Sequence, residues 1–292
     1  MRRILLFVAT NLAIMLTLSV VFSLLGIGGY IQPDGGLNYG ALMVFALVWG
    51  MGGAFISLQL SRWMAKRAMG VQLIDGRTGN AELDWVYRTV EALAQKARLP
   101  MPEVGVYDSP EVNAFATGPS KRRSLVAVST GLLRGMRREE VEGVLAHEVA
   151  HIQNGDMVTL TLIQGVVNAF VIFFARVIAN VVRNMVDERN AAMVGFITTI
   201  VLDIVLGIVG AMVVAWFSRA REFRADAGAA ALSSRDNMIG ALRRLMQTHQ
   251  LVDDSQASLA TMKIAGGSGR WMAFFSTHPP LEARIAALQQ LR

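Results

Sequence analysis

Four long stretches almost free of charge limit the folds open to this 292-residue chain more than anything else in it. Residues 4–33, 35–61 and 157–175 contain no Asp, Glu, Lys or Arg, and residues 190–218 carry one acid, Asp203. A bilayer core of about 30 Å is crossed by roughly 20 apolar helical residues, each adding 1.5 Å. The four stretches are therefore expected to be membrane spans, paired as two helical hairpins. Met1, Arg2 and Arg3 could open a secretory signal, but the apolar run behind them is long and has no small-residue cleavage pattern, so it reads as an uncleaved anchor.

Composition agrees with that reading. Hydrophobic residues make up 53% of the chain, and its 27 glycines bring the apolar share to about 62%, above the roughly 45–50% of soluble domains. A mean hydropathy of +0.42 excludes a disordered chain. No cysteine is present, so there can be no disulfide framework and no thiolate nucleophile, and any metal ligands must be nitrogen or oxygen. The net charge of +6 does not indicate nucleic acid, because no basic stripe is interleaved with aromatics.

The basic residues instead orient the chain. Arg2 and Arg3, then Arg62, Lys66 and Arg67, then Arg219, Arg221 and Arg224 all fall on one side when four spans are threaded in order. That side is expected to be cytoplasmic, with both termini and the large middle segment on it. Residues 1–61 then form an N-terminal transmembrane hairpin, 62–156 a cytoplasmic part, 157–218 a second transmembrane pair and 219–292 a cytoplasmic C-terminal part.

Residues 61–156 hold 13 basic and 12 acidic residues, about 26% of the segment, which is ordinary soluble composition. Leu83, Val86, Tyr87, Val90 and Leu93 recur at helical spacing. Residues 104–107, 112–117 and 124–129 read as short strands, the last two flanking a turn at Gly118, Pro119 and Ser120 with the solvated basic trio Lys121, Arg122 and Arg123. Residues 138–154 return to a helical pattern. Gly266, Gly267, Ser268 and Gly269 read as a loop or linker.

On the helix at 138–154 lie His147, Glu148, Val149, Ala150 and His151, an H-E-x-x-H motif. Histidines at i and i+4 share one helical face, so both imidazoles can converge on one Zn²⁺ while Glu148 addresses a water beside it. Charged residues from Arg134 to Glu142 and the break at Asn154 and Gly155 keep this helix out of hydrocarbon. A catalytic zinc needs a third protein ligand. Glu222 is the best candidate, because two intervening spans return it to the side of His147. Asp226, one turn further on, could take a hydrogen bond from a ligand histidine or simply pair with Arg219, Arg221 or Arg224. His249 has no motif around it and is a poor ligand candidate.

These blocks resemble the HtpX membrane zinc metalloproteases, relatives of the CAAX prenyl proteases. The resemblance runs through His147 to His151, Asn154-Gly155-Asp156, Glu222-Phe223-Arg224-Ala225-Asp226, Asn113-Ala114-Phe115-Ala116-Thr117-Gly118, and Ser276-Thr277-His278-Pro279-Pro280 with Arg284. It implies a mainly α membrane protein with four transmembrane helices and a cytoplasmic α+β zincin-like domain containing a small sheet. It further implies an endopeptidase of the bacterial inner membrane, holding one Zn²⁺ per chain, that cleaves misfolded or damaged membrane proteins in stress-linked quality control. By the same resemblance, Asn113, Ala114, Phe115 and Ala116 form an edge strand that takes unfolded polypeptide by β-augmentation, unless they are an ordinary hairpin strand. His278 and Arg284 either reach the reacting centre or serve the fold.

Two other functions are open to the same residues. Asp203 within a span could mark an ion or proton path, or could pair with Arg176, which threading places within about 7 Å along the bilayer normal. A noncatalytic membrane zinc receptor or scaffold is the other, although it would have no use for Glu148. The 16 methionines are dispersed through the apolar runs and read as packing.

Overall fold

The computed structural model describes residues 16, 17, 20, 23, 29–32, 35–255 and 278–291, with side chains up to residue 248 in the long stretch. The expected first span at 4–33 lies largely outside the described residues, as do the loop at Gly266 to Gly269, the side chain of His249, and Ser276 and Thr277. The chain is mostly helical with one small mixed sheet, and it divides into two compact units. One holds the described residues up to Gln59 with Thr159–Val214; the other holds Leu60–Val158 with the described residues from Ala215 onward.

Among the described residues three helices are long and apolar enough to cross a membrane: α1 (Tyr39–Met69), α5 (Asp156–Arg183) and α6 (Glu188–Leu232). Each runs past its charge-free stretch because no breaker stops it there. Lys66 and Arg67 sit in the last turn of α1, and Gly70, at φ +66°, ends the helix. In the first unit Gly50 packs so closely on α5 that a Cβ would stand 2.5 Å from the Ala169 nitrogen. Phe55, Phe170, Phe174, Met193, Phe196 and Ile197 are exposed there. No aqueous fold leaves so many large apolar side chains uncovered without a partner phase. Arg176 Nη1 donates to Asp203 Oδ1 at 2.6 Å, so the lone acid of the fourth apolar stretch has the partner that threading suggested.

The second unit carries the sheet, in the order β1 (Gln72–Ile74), β2 (Glu103–Tyr107), β4 (Arg123–Ser129), β3 (Ala114–Ser120). β2 and β4 run parallel; the two outer pairings are antiparallel. The inner strand β4 is the near-continuous apolar run Leu125, Val126, Ala127 and Val128, all buried. β3 is an edge strand whose residues alternate in environment: Ala114 and Ala116 pack on the main core, whereas Phe115 meets Tyr107 at 5.7 Å on the other face.

Two details differ from the sequence reading. β3 extends through the expected turn to Ser120, with a register shift between Thr117 and Ser120, so that the turn itself is Lys121 and Arg122. Gly118, at φ +144°, and Pro119 are absorbed as an edge irregularity, where neither a Cβ nor an N–H is required. β1 has only three residues, too few to show a period.

Among the described residues three helices pack on the sheet, α2 (Ala81–Lys96), the short α3 (Thr130–Gly135) and α4 (Arg138–Asn154); α7 (Arg235–Ser255) packs on α4, and α8 (Leu281–Gln290) on α7. The Asn80 side chain caps α2 by accepting from the Glu82 and Leu83 N–H groups. At the start of α4 the Glu140 carboxylate accepts from the Arg137 N–H at 2.8 Å. Val86, Val90, Leu93, Leu145, Val149 and Ile152 fill the core with Val126 and Val128 of the sheet.

Candidate active site

The site begins with how α4 ends. Gly155 adopts φ +69°, ψ 29°, the left-handed cap open to glycine without strain, and its N–H bonds back to Ile152. The chain turns there and restarts immediately as α5, which brings Asp156 under the last turn of α4. Asp156 Oδ2 lies 2.7 Å from His151 Nδ1, and its other oxygen accepts from Arg224 Nη2 at 3.1 Å. The close approach of α6 to α4 is set at Gly228, where a Cβ would come within 2.8 Å of the Ala150 Cβ. That contact lays the Glu222–Asp226 face of α6 beside the two histidines.

Three donor atoms converge as a result. His147 Nε2 and His151 Nε2 are 3.0 Å apart, and the Glu222 oxygens stand 3.5 Å from the first and 3.4 Å from the second. All three residues are buried. Glu222 Oε1 has no hydrogen-bond partner. Asp156 fixes the proton of His151 on Nδ1, leaving Nε2 as a lone pair aimed at the other ring. Asp226 Oδ1 lies 3.0 Å from His147 Nδ1, at an angle too oblique for a hydrogen bond.

Two nitrogens and a carboxylate oxygen with no hydrogen bond, facing one another, are a poor arrangement for a neutral core and a good one for a cation. Ligands at 2.0–2.1 Å from a tetrahedral ion stand about 3.3–3.4 Å apart, close to the separations found here. The residues therefore fit a divalent metal of the zinc type.

The surrounding charges hold this geometry. Burial, the strongest single influence on His147, would lower its pKa. Asp226 and Glu222, with the charge of Glu148, more than reverse that and raise it to about 9. Burial would likewise raise Glu222 and Asp226, but His147 and His278 hold Glu222, and Arg284 and His147 hold Asp226, below the usual carboxylate range. Arg284, itself buried, donates through Nε and Nη2 to both Asp226 oxygens at 2.7 and 2.6 Å, and its Nη1 lies 3.4 Å from Glu222 Oε2. His278 Nδ1 lies 3.0 Å from the same Glu222 oxygen and is largely exposed. Glu148 is half-buried one position from His147.

The sequence-derived residues His147, Glu148, His151, Glu222, Asp226, His278 and Arg284 thus come together in one unit. Ala114, Phe115 and Ala116 lie on the edge strand β3, which packs on α4, with Asn113 immediately before it. Sequence reasoning named Asp156 in the Asn154-Gly155-Asp156 block after the helix break but gave it no role. The signal that would have found it is the glycine between it and the histidine helix, because a left-handed cap folds the next residue back.

Comparison with known proteins agrees with this centre. Residues 80–292 match peptidase family M48. A protease HtpX homolog of Verminephrobacter eiseniae (strain EF01-2) is 59% identical over 297 residues, covering 99% of this chain and 98% of that one. The protease HtpX of Idiomarina loihiensis is 50% identical over 293 residues, with both chains fully covered. The crystal structure of S. mikatae Ste24p superposes with a TM-score of 0.61 at 18% identity, covering 99% of this chain and 66% of that one. That structural match is one of fold. With the sequence matches, it means that the chain belongs to peptidase family M48, among its HtpX proteases, and is a membrane-bound metalloprotease.

Proposed function

We propose that the chain is a zinc endopeptidase of the bacterial inner membrane, cleaving misfolded or damaged membrane proteins on the cytoplasmic side under envelope or heat stress. The observation that carries this reading is the convergence of His147, His151 and Glu222 beside the half-buried Glu148. The three would hold one Zn²⁺. When bound, zinc lowers the pKa of a water toward about 7 and polarises the scissile carbonyl.

The protein's own groups do the rest. Glu148 accepts the proton of the attacking water and delivers it to the leaving amide nitrogen. Asp156 holds the His151 imidazole with its Nε2 inward through its Nδ1, and the Asp226 charge beside His147 Nδ1 favours the same orientation there. Arg284 and His278 fix the Glu222 and Asp226 carboxylates, and their position beside the candidate metal ligands suits them to meet the developing charge on the substrate. Asn113, Ala114, Phe115 and Ala116 take the substrate as an added strand through main-chain bonds, so recognition depends little on side chains, as removal of damaged proteins requires. The basic residues flanking the apolar stretches support four spans and a cytoplasmic catalytic part.

The test is Glu148→Gln. The variant should bind zinc as tightly as the parent and cleave a loosely folded protein substrate at least about 100-fold more slowly. Unchanged cleavage would exclude Glu148 as the base, and cleavage by neither form, with or without added zinc, would favour a scaffold. Chelation should abolish turnover, and zinc readdition should restore it.

A further inference from the structure

The first unit contains a feature that peptide hydrolysis does not use. A cavity of about 280 Å³, the volume of roughly nine waters, is lined by Arg176, Asn180 and Arg183 of α5, Phe196 and Thr199 of α6, and Tyr30. Arg176 and Arg183 are seven residues apart, two helical turns, and so share one face of α5 about 10 Å apart along its axis. Among the described residues no acid lines the cavity. Arg176 is tied to Asp203, but Arg183, whose aliphatic stem lies over Gly195, pairs through its guanidinium with no acid among the described residues.

Beside these cations the wall turns apolar and open. Phe196 is 67% exposed and Ile31 51%, and Ile197 and Ile200 continue the exposed surface along α6. A cationic recess that opens directly onto an apolar face suits an amphiphile with an anionic head. A free phosphate would use the arginines and gain nothing from Phe196 or Ile31. A zwitterionic head would bring its own cation against Arg183.

We propose that this cavity binds the headgroup of an anionic phospholipid, with Arg183 and Arg176 on the phosphate, Asn180 as a further polar partner, and the acyl chains along Phe196, Ile197 and Ile200. Arginine suits the role because its planar fork presents paired donors to phosphate oxygens. This site is separate from the metal centre and does not depend on how that centre works.

The experiment uses the full chain in mild detergent, titrated with dioleoyl phosphatidylglycerol or dioleoyl phosphatidylcholine and read by native mass spectrometry. Phosphatidylglycerol should be retained at least about fivefold more strongly, the preference one interfacial arginine supplies. Arg183→Gln should remove most of that preference and Arg183→Lys should keep part of it, with peptidase activity unchanged in both. Gly195→Leu, which fills the recess without altering charge, should weaken retention of the anionic lipid. Equal retention of the two lipids by the parent, or an unchanged preference in Arg183→Gln and Gly195→Leu, would overturn the proposal. So would displacement of the lipid by equimolar inorganic phosphate, which would mark a free-anion site.

Discussion

His147 carries two opposed demands: a metal ligand must be unprotonated, yet the carboxylates around it raise its pKa to about 9 when no metal is present. At neutral pH the empty centre is therefore held together by an imidazolium between Asp226 and Glu222, and a metal must displace that proton. Zinc uptake at pH 7.5 should release about one proton, seen as a dependence of the binding heat on buffer ionisation enthalpy. Apparent affinity should climb by up to about tenfold per pH unit until pH 9. Because the folded pKa lies above the unfolded value of about 6.5, the stabilisation of the metal-free protein is complete below pH 6.5 and lost as the pH rises toward 9. A metal-free thermal midpoint that rises between pH 6.5 and 9 would contradict this. On the other histidine, Asp156→Ala should cost roughly 10–100-fold in zinc affinity, while Arg224→Ala, further out and exposed, should cost less.

The helices α4 and α6 meet through small residues, and that contact sets the donor separations. Gly228→Val would drive a side chain into Ala150, already 2.8 Å from a Cβ at that position, at a cost of about 1–3 kcal/mol. It should lower both the thermal midpoint and zinc affinity. Gly207→Val on the same helix, with nothing within 4 Å, should alter neither. A zinc affinity unchanged in Gly228→Val would mean that the ligands do not depend on this contact. The histidine helix was legible in sequence because its two imidazoles lie four residues apart, and the return of Glu222 to them because two apolar stretches intervene. Asp156 and the Gly228 contact were not, since each depends on a backbone turn or a close approach that no periodicity records. The three-residue β1 and the passage of β3 through Gly118 and Pro119 escaped for a related reason, because tertiary pairing there overrides local turn preference.

Across the whole molecule, the charge-free stretches at 35–61, 157–175 and 190–218 are accounted for by α1, α5 and α6, each longer than its apolar part. The single acid among them serves an ion pair, which argues for a structural role. Asp203→Asn should leave Arg176 without its charged partner and cost roughly 1.5–3 kcal/mol, read as a lower thermal midpoint, with proteolysis intact at permissive temperature. Loss of proton flux in reconstituted vesicles, with stability unchanged, would revive a transport role.

The continuity of α6 also has a consequence in time. Seventy residues separate His151 from Glu222, and most of them form α5 and the apolar part of α6. A ribosome adding about 5–20 residues per second delivers the histidine pair roughly 4–14 s before the third ligand, and Arg284 later still. During that interval the nascent chain presents an incomplete donor set. The protease thus completes its candidate ligand set only after α1, α5 and the apolar part of α6 have been synthesised, so an emerging copy is spared from cutting its neighbours before it has reached its membrane.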